Sequence, residues 1–584
     1  MFASWRSEPP ERGELVPVNA KTLVREEQRL LALLVAMLTL VTFFLLFTFR
    51  FLDDNRLTSW QWVFADADVV RFSSILLGGL LLAYAMSHMS FVTRRPVILL
   101  FTSSFAVAML FWGEPEVNVD AARYFIQAKH LELYGAGYFL SEWGNQIMVW
   151  TDLPLIPFLY GLIFGLVGET RIGTQVFSSL LFSGTVVLTF LIGKTLWNRE
   201  AGLYAGGLLL GMPYLLTQVP LMLVDVPAMF FVVLAVFTTI KAARNGGIAW
   251  LLGASLAITL AMLSKYSAWL ILSVIPIIFL CHADLGWRVV GRRGVAVCGC
   301  ATFVLAIFLL WKFEVIASQI SLLQSYQLPG LQRWQESLTS TFFFQIHPFI
   351  TFAALCSVYV AIRKKDWKYV IIGWPLLLVI LLDIRRARYM VVVLPMVALL
   401  AAYALREIKN AGLARSIVSC SVAFSLAMAV FGYLPFLQKT SAANVQAAGK
   451  YLNTIEATEV EVYALAQLRS LINPAVTVPL LDMFTDKLIV AGQDSPSGLR
   501  SASIDTSSLR FTWDGIDPDV FTKGATYRPV EAAVVIISSD RRQVLPDPIA
   551  KRTAGYRLSK EFMVSDRVFN YQTIIRIYEP ASSV

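Results

Sequence analysis

A short polar stretch directly after an apolar run holds the residues of this sequence that are best suited to chemistry. Residues 114–124 read EPEVNVDAARY and carry four charged side chains: Glu114, Glu116, Asp120 and Arg123. An ionisable group at the rim of a bilayer must face water or a cavity, so charge at such a position marks a functional site. A carboxylate beside an arginine can accept a proton while the cation binds an anion. We therefore predict a reaction centre in this stretch.

Further polar residues stand at the ends of later apolar runs. The residues that we place on the same side of the membrane are Asp120, Arg123, Tyr124, Asp225, Lys265, Arg385, Arg386, Arg388 and Tyr389. The positive side chains can hold a phosphate by charge-assisted hydrogen bonds, and a carboxylate nearby can act as general base toward a hydroxyl or an amine. Together these residues predict a site that binds an anion and removes a proton.

Several of these residues also have a purely structural interpretation. Asp225 precedes Pro227 at a predicted helix start, so helix capping explains it about as well as a role in a site does. Lys265 ends an apolar run, where a lysine often only extends to the membrane interface. His347 precedes Pro348 and could approach the site, although a structural histidine is the simpler interpretation.

The composition assigns the chain to the membrane proteins with many spans. Of its 584 residues, 57% are hydrophobic and 15% are charged, and the mean hydropathy is +0.63. About thirteen apolar runs approach the length of roughly 20 residues that a transmembrane helix requires. The net charge of +9 does not indicate a nucleic-acid partner, because the basic residues form short clusters between apolar runs. The five cysteines avoid the polar C-terminal region and do not indicate a disulfide framework, and the four histidines are too scattered for a metal site.

The basic clusters also orient the chain, with the N-terminus in the cytoplasm and the C-terminal region outside. We predict four parts: a cytoplasmic segment at 1–28, two additional transmembrane helices at 29–95, an all-α transmembrane catalytic domain at 96–438, and an extracytoplasmic α/β domain at 439–584. External loops are expected at 114–170 and 313–344. The apolar run 150–168 is interpreted as a helix in the interface, because a span there would move the later basic loops outside.

The predicted C-terminal domain has a mixed polar composition and is large enough to form its own core. Strand-like stretches occur at 460–464, 532–538 and 573–578, and a helical pattern covers 442–455. This alternation of helix and strand signals predicts an α/β domain.

Four short motifs occur in order between residue 96 and about residue 436. They are Asp120-Ala-Ala-Arg123-Tyr124, Leu223-Val-Asp225-Val-Pro227, Leu263-Ser-Lys265, and Arg388-Tyr389 with Pro395. They resemble the Asp-Glu-Ala-Arg-Tyr, Leu-Thr-Asp-Met-Pro, Leu-Thr-Lys and Arg-Tyr motifs of the GT-C membrane glycosyltransferases. Within that group, the resemblance is to the lipid A aminoarabinose transferases and protein O-mannosyltransferases (glycosyltransferase family 39).

The resemblance implies an enzyme of the plasma membrane, in bacteria the inner membrane, that transfers a sugar from a polyprenyl-phosphate donor with inversion. It implies that Asp120 is the catalytic residue. The implied contacts to the donor phosphate are Arg123, Tyr124, Lys265, Arg385, Arg388 and Tyr389. The residues expected to shape the substrate site are Glu116, Asp152, Asp225 and His347. The acceptor stays open between lipid A, another glycolipid, a polysaccharide and a protein.

The sequence departs from the family pattern at two places. Ala121 stands where the family often has Glu, and residues 152–155 read DLPL where it often has Lys-Pro-Pro-Leu. The missing lysine removes one expected contact to the donor phosphate. No cofactor is expected; the alternative is a divalent cation such as Mg²⁺ or Mn²⁺ held by Glu114, Glu116 and Asp120.

Two other functions remain open at this point. A transporter or flippase for lipid-linked sugars would be expected to show internal repeats and ionisable residues at mid-helix. The sequence shows no repeat, and its charges cluster at one face of the membrane, which favours an enzyme. An oligosaccharyl transferase or polymer ligase of related architecture would differ mainly by a metal requirement and a pyrophosphate donor.

Overall fold

The computed structural model of this chain describes most of the sequence. The described residues are 20–65, 67–87, 95–116, 119–328, 336–466, 471–492, 502–505, 507, 509–514, 518–521, 532–566, 568 and 572–581. Most of the predicted cytoplasmic segment at 1–28 lies outside them.

Helices dominate the chain up to residue 437, because a helix satisfies every backbone polar group within its own segment and so tolerates an apolar surrounding. The helices before residue 225 are α1 (Ala20–Thr48), α2 (Trp60–Val63), α3 (Val69–Ser87), α4 (Pro96–Met109), α5 (Val119–Glu142), α6 (Leu155–Val167), α7 (Arg171–Leu196), α8 (Arg199–Leu210) and α9 (Pro213–Gln218). Those that follow are α10 (Asp225–Asn245), α11 (Ile248–Ser264), α12 (Tyr266–Ile271), α13 (Val274–Leu280), α14 (Trp287–Trp311), α15 (Phe313–Leu322), α16 (Leu338–Ser340), α17 (Pro348–Lys364), α18 (Tyr369–Leu381), α19 (Ala387–Met390), α20 (Leu394–Leu405), α21 (Ala411–Ala427) and α22 (Leu434–Leu437).

Seven of the described helical segments are long and apolar enough to cross a membrane, or eight if one pair bent by 120° counts as a span. The prediction of about thirteen spans is therefore not confirmed. Several apolar helices are shorter than a full span, α6 and α18 among them, with 13 residues each. The apolar run at 201–221 is broken before Pro213, where α8 ends and α9 begins.

Two of the most deeply buried spans meet at the site. They are α10 and the segment Ala387–Leu405, which joins α19 to α20 through a short 3₁₀ turn. Each begins with charged residues and has a proline close behind, at Pro227 and at Pro395. A proline in the first turn of a helix loses no intrahelical hydrogen bond, so Pro227 and Pro395 are tolerated in the first turns of α10 and α20. This arrangement brings Asp225 and Arg388 to the same end of the helical bundle.

Helix α5 carries the polar stretch and packs along α6. The contact is close at Gly161, where a Cβ atom would lie 2.6 Å from Leu131 Cβ and 2.8 Å from the Ala128 carbonyl oxygen. Gly135 interrupts α5 with a φ of 83°, a left-handed value that favours glycine. The first half of α5 is therefore held firmly, and Asp120 lies in its first turn.

The chain after residue 441 forms the predicted α/β domain. Its helices are α23 (Ala442–Leu452), α24 (Thr477–Asp482), α25 (Ala502–Asp505), α26 (Phe511–Asp514) and α27 (Asp547–Thr553). Its strands are β1 (Glu459–Ala464), β2 (Leu488–Ala491), β3 (Ala533–Ser538), β4 (Tyr556–Phe562) and β5 (Ile574–Pro580). The sheet order is β2-β1-β3-β5-β4, with β1 parallel to β2 and β3, and β5 antiparallel to β3 and β4.

Candidate active site

Charged side chains from several elements form a continuous series of ion pairs, here named the ionic chain. In order along the series, its members are Asp152, Arg123, Asp120, Arg388, Asp225 and Lys265. Asp225 belongs to this ionic chain and is fully buried. One of its carboxylate oxygens accepts a hydrogen bond from Lys265 Nζ, and the other accepts one from Arg388 Nε at 2.9 Å. Because both oxygens are occupied by cations, Asp225 does not cap its helix; the N-cap position is held by Val224. The sequence left capping and function open, and the geometry decides for the ionic role.

Arg388 also links Asp120 to the ionic chain, through a second nitrogen of its guanidinium group. Arg388 Nη1 donates to Asp120 Oδ2 at 2.6 Å, and Arg123 Nη1 lies 3.6 Å from Asp120 Oδ1. Burial alone would raise the pKa of Asp120, but Arg388 and then Arg123 outweigh it, so the pKa lies below its ordinary value. The Asp120 side chain keeps 21% of its surface exposed. It is thus an ionised carboxylate whose side chain is partly exposed.

Arg123 is paired with Asp152, which stands where the resembled family often has a lysine. Its Nε and Nη2 donate to the two oxygens of Asp152 at 2.6 and 2.9 Å, and Gln127 Nε2 donates to the same carboxylate at 3.2 Å. The guanidinium also stacks between the rings of Tyr124 and Phe511, at 5.2 and 5.1 Å from their centroids. Only 3% of Arg123 is exposed, and one carboxylate accepts from both its Nε and its Nη2, while Nη1 is buried without a hydrogen bond to the described residues. This geometry argues against Arg123 as the donor phosphate ligand that the sequence suggested.

Tyr389 is flanked by two cations that remain more accessible. Lys265 Nζ lies 5.3 Å from the centroid of its ring, and the guanidinium carbon of Arg386 also lies 5.3 Å away. The Lys265 side chain keeps 19% of its surface exposed. Arg385, which the resemblance suggested, instead lies on the surface and pairs with Asp383 at 2.7 Å. Within this basic cluster, the residue oriented toward Tyr389 is therefore Arg386 rather than Arg385.

Glu116 belongs to a neighbouring pair. Its Oε2 accepts from Arg171 Nη1 at 2.8 Å and from the Met222 backbone N–H at 3.0 Å. Burial raises the pKa of Glu114 well above its ordinary value. The three carboxylates proposed as a cation site are thus divided between two places. Among the described residues no group of three or more His, Cys, Asp or Glu side chains is arranged to hold a metal ion.

His347 does not join the ionic chain. Its Nδ1 accepts from the Phe349 N–H at 3.0 Å and caps α17, and its ring packs edge-on against Phe424 at 4.6 Å. The expectation that His347 shapes the substrate site is therefore replaced by the structural interpretation.

Three residues of the site and its surroundings are not predicted by the sequence: Gln127, Arg171 and Glu336. Gln127 lies one turn beyond Arg123 on α5, so helical spacing could have pointed to it. Arg171 and Glu336 are separated from the motifs by tens of residues, and only the fold brings them near.

A comparison of this sequence with known protein families finds a match, which covers part of the chain. Residues 152–311 match the family of dolichyl-phosphate-mannose-protein mannosyltransferases. The match confirms the resemblance to the GT-C membrane glycosyltransferases. The matched segment contains Asp152, Asp225 and Lys265, three members of the ionic chain. No curated protein sequence matches the chain significantly.

Several solved structures are similar to this chain at low sequence identity. ArnT from Cupriavidus metallidurans bound to undecaprenyl phosphate is 13% identical over 84% of this chain and 99% of that chain, with a TM-score of 0.49. The archaeal oligosaccharyltransferase AglB from Archaeoglobus fulgidus, in complex with an inhibitory peptide and a dolichol-phosphate, is 10% identical over 77% of this chain and 70% of that chain, with a TM-score of 0.44.

Proposed function

We propose that this GT-C glycosyltransferase moves a sugar from a polyprenyl-phosphate donor to an acceptor on the external face of the plasma membrane, with inversion at the sugar carbon. The observation that carries the proposal is the partly exposed carboxylate of Asp120 within a largely buried ionic chain. The matched family, whose description names a dolichyl-phosphate sugar donor and a protein acceptor, supports the donor class. The acceptor is a lipid, a polysaccharide or a protein.

In the proposed reaction, an acceptor oxygen or nitrogen attacks the sugar carbon and its proton passes to Asp120. The bond between that carbon and the phosphate oxygen breaks, and the electron pair leaves with the polyprenyl phosphate. Negative charge grows on the leaving oxygen, so cations fixed beside it lower the barrier. No covalent intermediate is needed, because one displacement inverts the carbon.

The low pKa of Asp120 fits a base that is ionised before the substrate arrives. Its pairing with Arg388 also makes it a weak base, since the cation stabilises the charge that the proton would remove. A donor phosphate that draws Arg388 toward itself would weaken that pairing and make Asp120 more basic. Donor binding and base activation are thereby linked through one guanidinium.

For the donor phosphate, the cations we propose are Lys265, Arg386 and Arg388. Lys265 and Arg386 flank Tyr389 on the accessible side, whereas Arg123 is neutralised by Asp152. We propose Arg123 as a positioning residue that fixes the first turn of α5, and Asp152 as the carboxylate that holds it.

The first test is Asp120→Asn in purified protein supplied with polyprenyl-phosphate sugars and envelope acceptors. An amide cannot take the acceptor's proton, so we expect transfer to fall about 10²- to 10⁴-fold, the usual worth of a general base. The product would be followed by mass spectrometry.

The matched control is Asp383→Asn, a nearby carboxylate that pairs with Arg385 on the surface. It should leave transfer unchanged. Wild-type turnover in Asp120→Asn, or an equal loss in both variants, would remove Asp120 from the proposed mechanism.

A further inference from the structure

The two additional N-terminal helices are joined by a segment that is buried against a distant part of the chain. Asp53 in this segment is fully buried. It accepts hydrogen bonds from the side chains of Ser340 and Gln345, the latter at 2.9 Å, and from the Trp60 N–H at 2.8 Å. A carboxylate surrounded by donors in this way fixes the relative position of all the groups that donate to it.

The next residue extends the same contact. Both carboxylate oxygens of Asp54 accept from the Ser337 N–H, at 2.8 and 3.0 Å. Thr58 adds a hydrogen bond from its hydroxyl to Gln345 Oε1 at 3.0 Å. Residues 53–60, here named the N-terminal clamp, therefore hold the segment 337–345 at several points.

Glu336 directly precedes the clamped segment and contacts the start of α19. Its Oε2 accepts the backbone N–H of Ala387 at 2.7 Å, and the residue is 5% exposed. Ala387 begins α19, and the preceding residue, Arg386, offers no side-chain cap. The first N–H groups of a helix have no partner within it, so Glu336 supplies from another segment what a capping residue would supply.

The residue after Ala387 is Arg388, which binds Asp225 and Asp120. A displacement of the α19 start would therefore move the guanidinium that links both carboxylates. The path runs from the N-terminal clamp through Ser337 and Glu336 to the start of α19.

We infer that the N-terminal clamp and Glu336 form a positioning device for Arg388, so that the two additional helices are part of the catalytic apparatus rather than a separate anchor. Glu336 is the positioning residue, because it contacts the helix that carries Arg388 without contacting the ionic chain itself. This inference rests on the proposed function for its activity readout. It has a second readout, amide exchange at Ala387, that does not need activity.

The test compares Glu336→Ala with Glu336→Gln. The alanine variant removes the acceptor for the Ala387 N–H, and misplacement of a catalytic group by about 1 Å can cost up to about 10²-fold, so we expect kcat to fall about 10- to 100-fold. The glutamine variant keeps a carbonyl oxygen there and should restore most of the rate. The KM for the donor should change much less than kcat.

Hydrogen exchange of the peptide that spans the α19 start gives the independent measurement. Faster exchange is expected in Glu336→Ala and wild-type exchange in Glu336→Gln. In an Arg388→Lys background, which keeps a cation but loses the fork geometry, Glu336→Ala should cost little further rate. A full additional loss there would overturn the inference.

The control for mere loosening of the N-terminal helices is Asp68→Ala. Asp68 accepts the Arg71 N–H at 3.0 Å at the start of α3 and lies off the proposed path. It should leave kcat unchanged. If Asp68→Ala and Glu336→Ala lose the same activity, or if Glu336→Ala keeps wild-type rate and exchange, the inference is wrong while the role of Asp120 stands. If the wild-type protein transfers no sugar, the proposed function fails and unchanged exchange in Glu336→Ala would overturn the inference separately.

Discussion

Lys265 is a member of the ionic chain whose side chain is also partly exposed. It is tied to Asp225 on one side and stacks on Tyr389 on the other, yet part of its surface is exposed. Hydrogen bonds to charged groups are worth about 1.5 to 3 kcal/mol, so Lys265→Met should weaken binding of a polyprenyl phosphate by roughly 10- to 100-fold. Binding would be measured in nanodiscs.

The matched variant for this prediction is Lys364→Met, which removes an exposed lysine paired with Glu407. It should bind the lipid phosphate like the parent. Equal affinity in both variants would show that the phosphate lies elsewhere, and thermal unfolding would show whether either variant is misfolded.

At the level of single residues, the sequence indicated which types would gather but not how they pair. Asp120, Asp225, Lys265 and Arg388 were predicted from four motifs, and the fold joins them. The Arg123–Asp152 pair was not predicted; Asp152 was expected to shape the substrate site, with no partner named for it. Which side chain a cation faces depends on distances between helices that no spacing in the sequence encodes.

Among the elements, the contact between α5 and α6 fixes the position of Asp120. Gly161→Ala would place a Cβ atom against Leu131 and the Ala128 carbonyl. Overpacking of this kind typically costs about 1 to 3 kcal/mol, so we expect lower thermal stability together with reduced transfer.

Gly165 lies one turn further along α6 and gives the control, since a Cβ there meets nothing within 4 Å. Gly165→Ala should be neutral or slightly stabilising, because alanine favours a helix by up to about 1 kcal/mol over glycine. A similar loss of stability in both variants would contradict the close contact as the cause.

The elements themselves were predicted unevenly. Strands β1, β3 and β5 and helix α23 lie within a few residues of the predicted stretches, because buried β-branched runs leave a strong pattern. Strands β2 and β4 were not predicted; β2 has only four residues, and β4 is an edge strand with much of its surface exposed. The number of about thirteen spans is not confirmed, because hydropathy does not show where an apolar run breaks or stops short.

At the scale of the whole molecule, the α/β domain is docked onto the helical part by charged and aromatic contacts. Asp482 at the end of α24 pairs with Lys129 of α5 at 2.8 Å. The two residues that follow it contact Arg171: Met483 Sδ lies 3.5 Å from Nη1, and the Phe484 ring centroid lies 4.9 Å from the guanidinium carbon. The domain therefore bears on the same helix that carries Asp120.

This docking should depend on pH. Burial raises the pKa of Asp482 from 3.8 to about 8 and that of Glu132 from 4.5 to about 7, and both lie near Glu169 and Lys129. Between the ordinary and the raised pKa of each group, the folded state holds a proton that the unfolded chain has released. The stability that these protons contribute is therefore complete at low pH and is lost as pH rises to about 8. We expect the thermal midpoint to fall as pH rises from about 4 to about 8.

Asp482→Asn tests the origin of that dependence. An amide does not titrate, so the fall of the midpoint with pH should become shallower while Lys129 keeps its contact with Glu169. An unchanged slope would assign the effect to other groups.

The ionic chain also constrains how the protein can be made. Asp225 and Arg388 are 163 residues apart, and Lys265 follows Asp225 after only 40. At synthesis rates of about 5 to 20 residues per second, the arginine emerges roughly 10 to 30 s after the aspartate that it must neutralise. During insertion, Lys265 is thus the earlier of the two cations available to that carboxylate. Lys265 would neutralise the Asp225 carboxylate at the membrane boundary until the span that carries Arg388 is inserted.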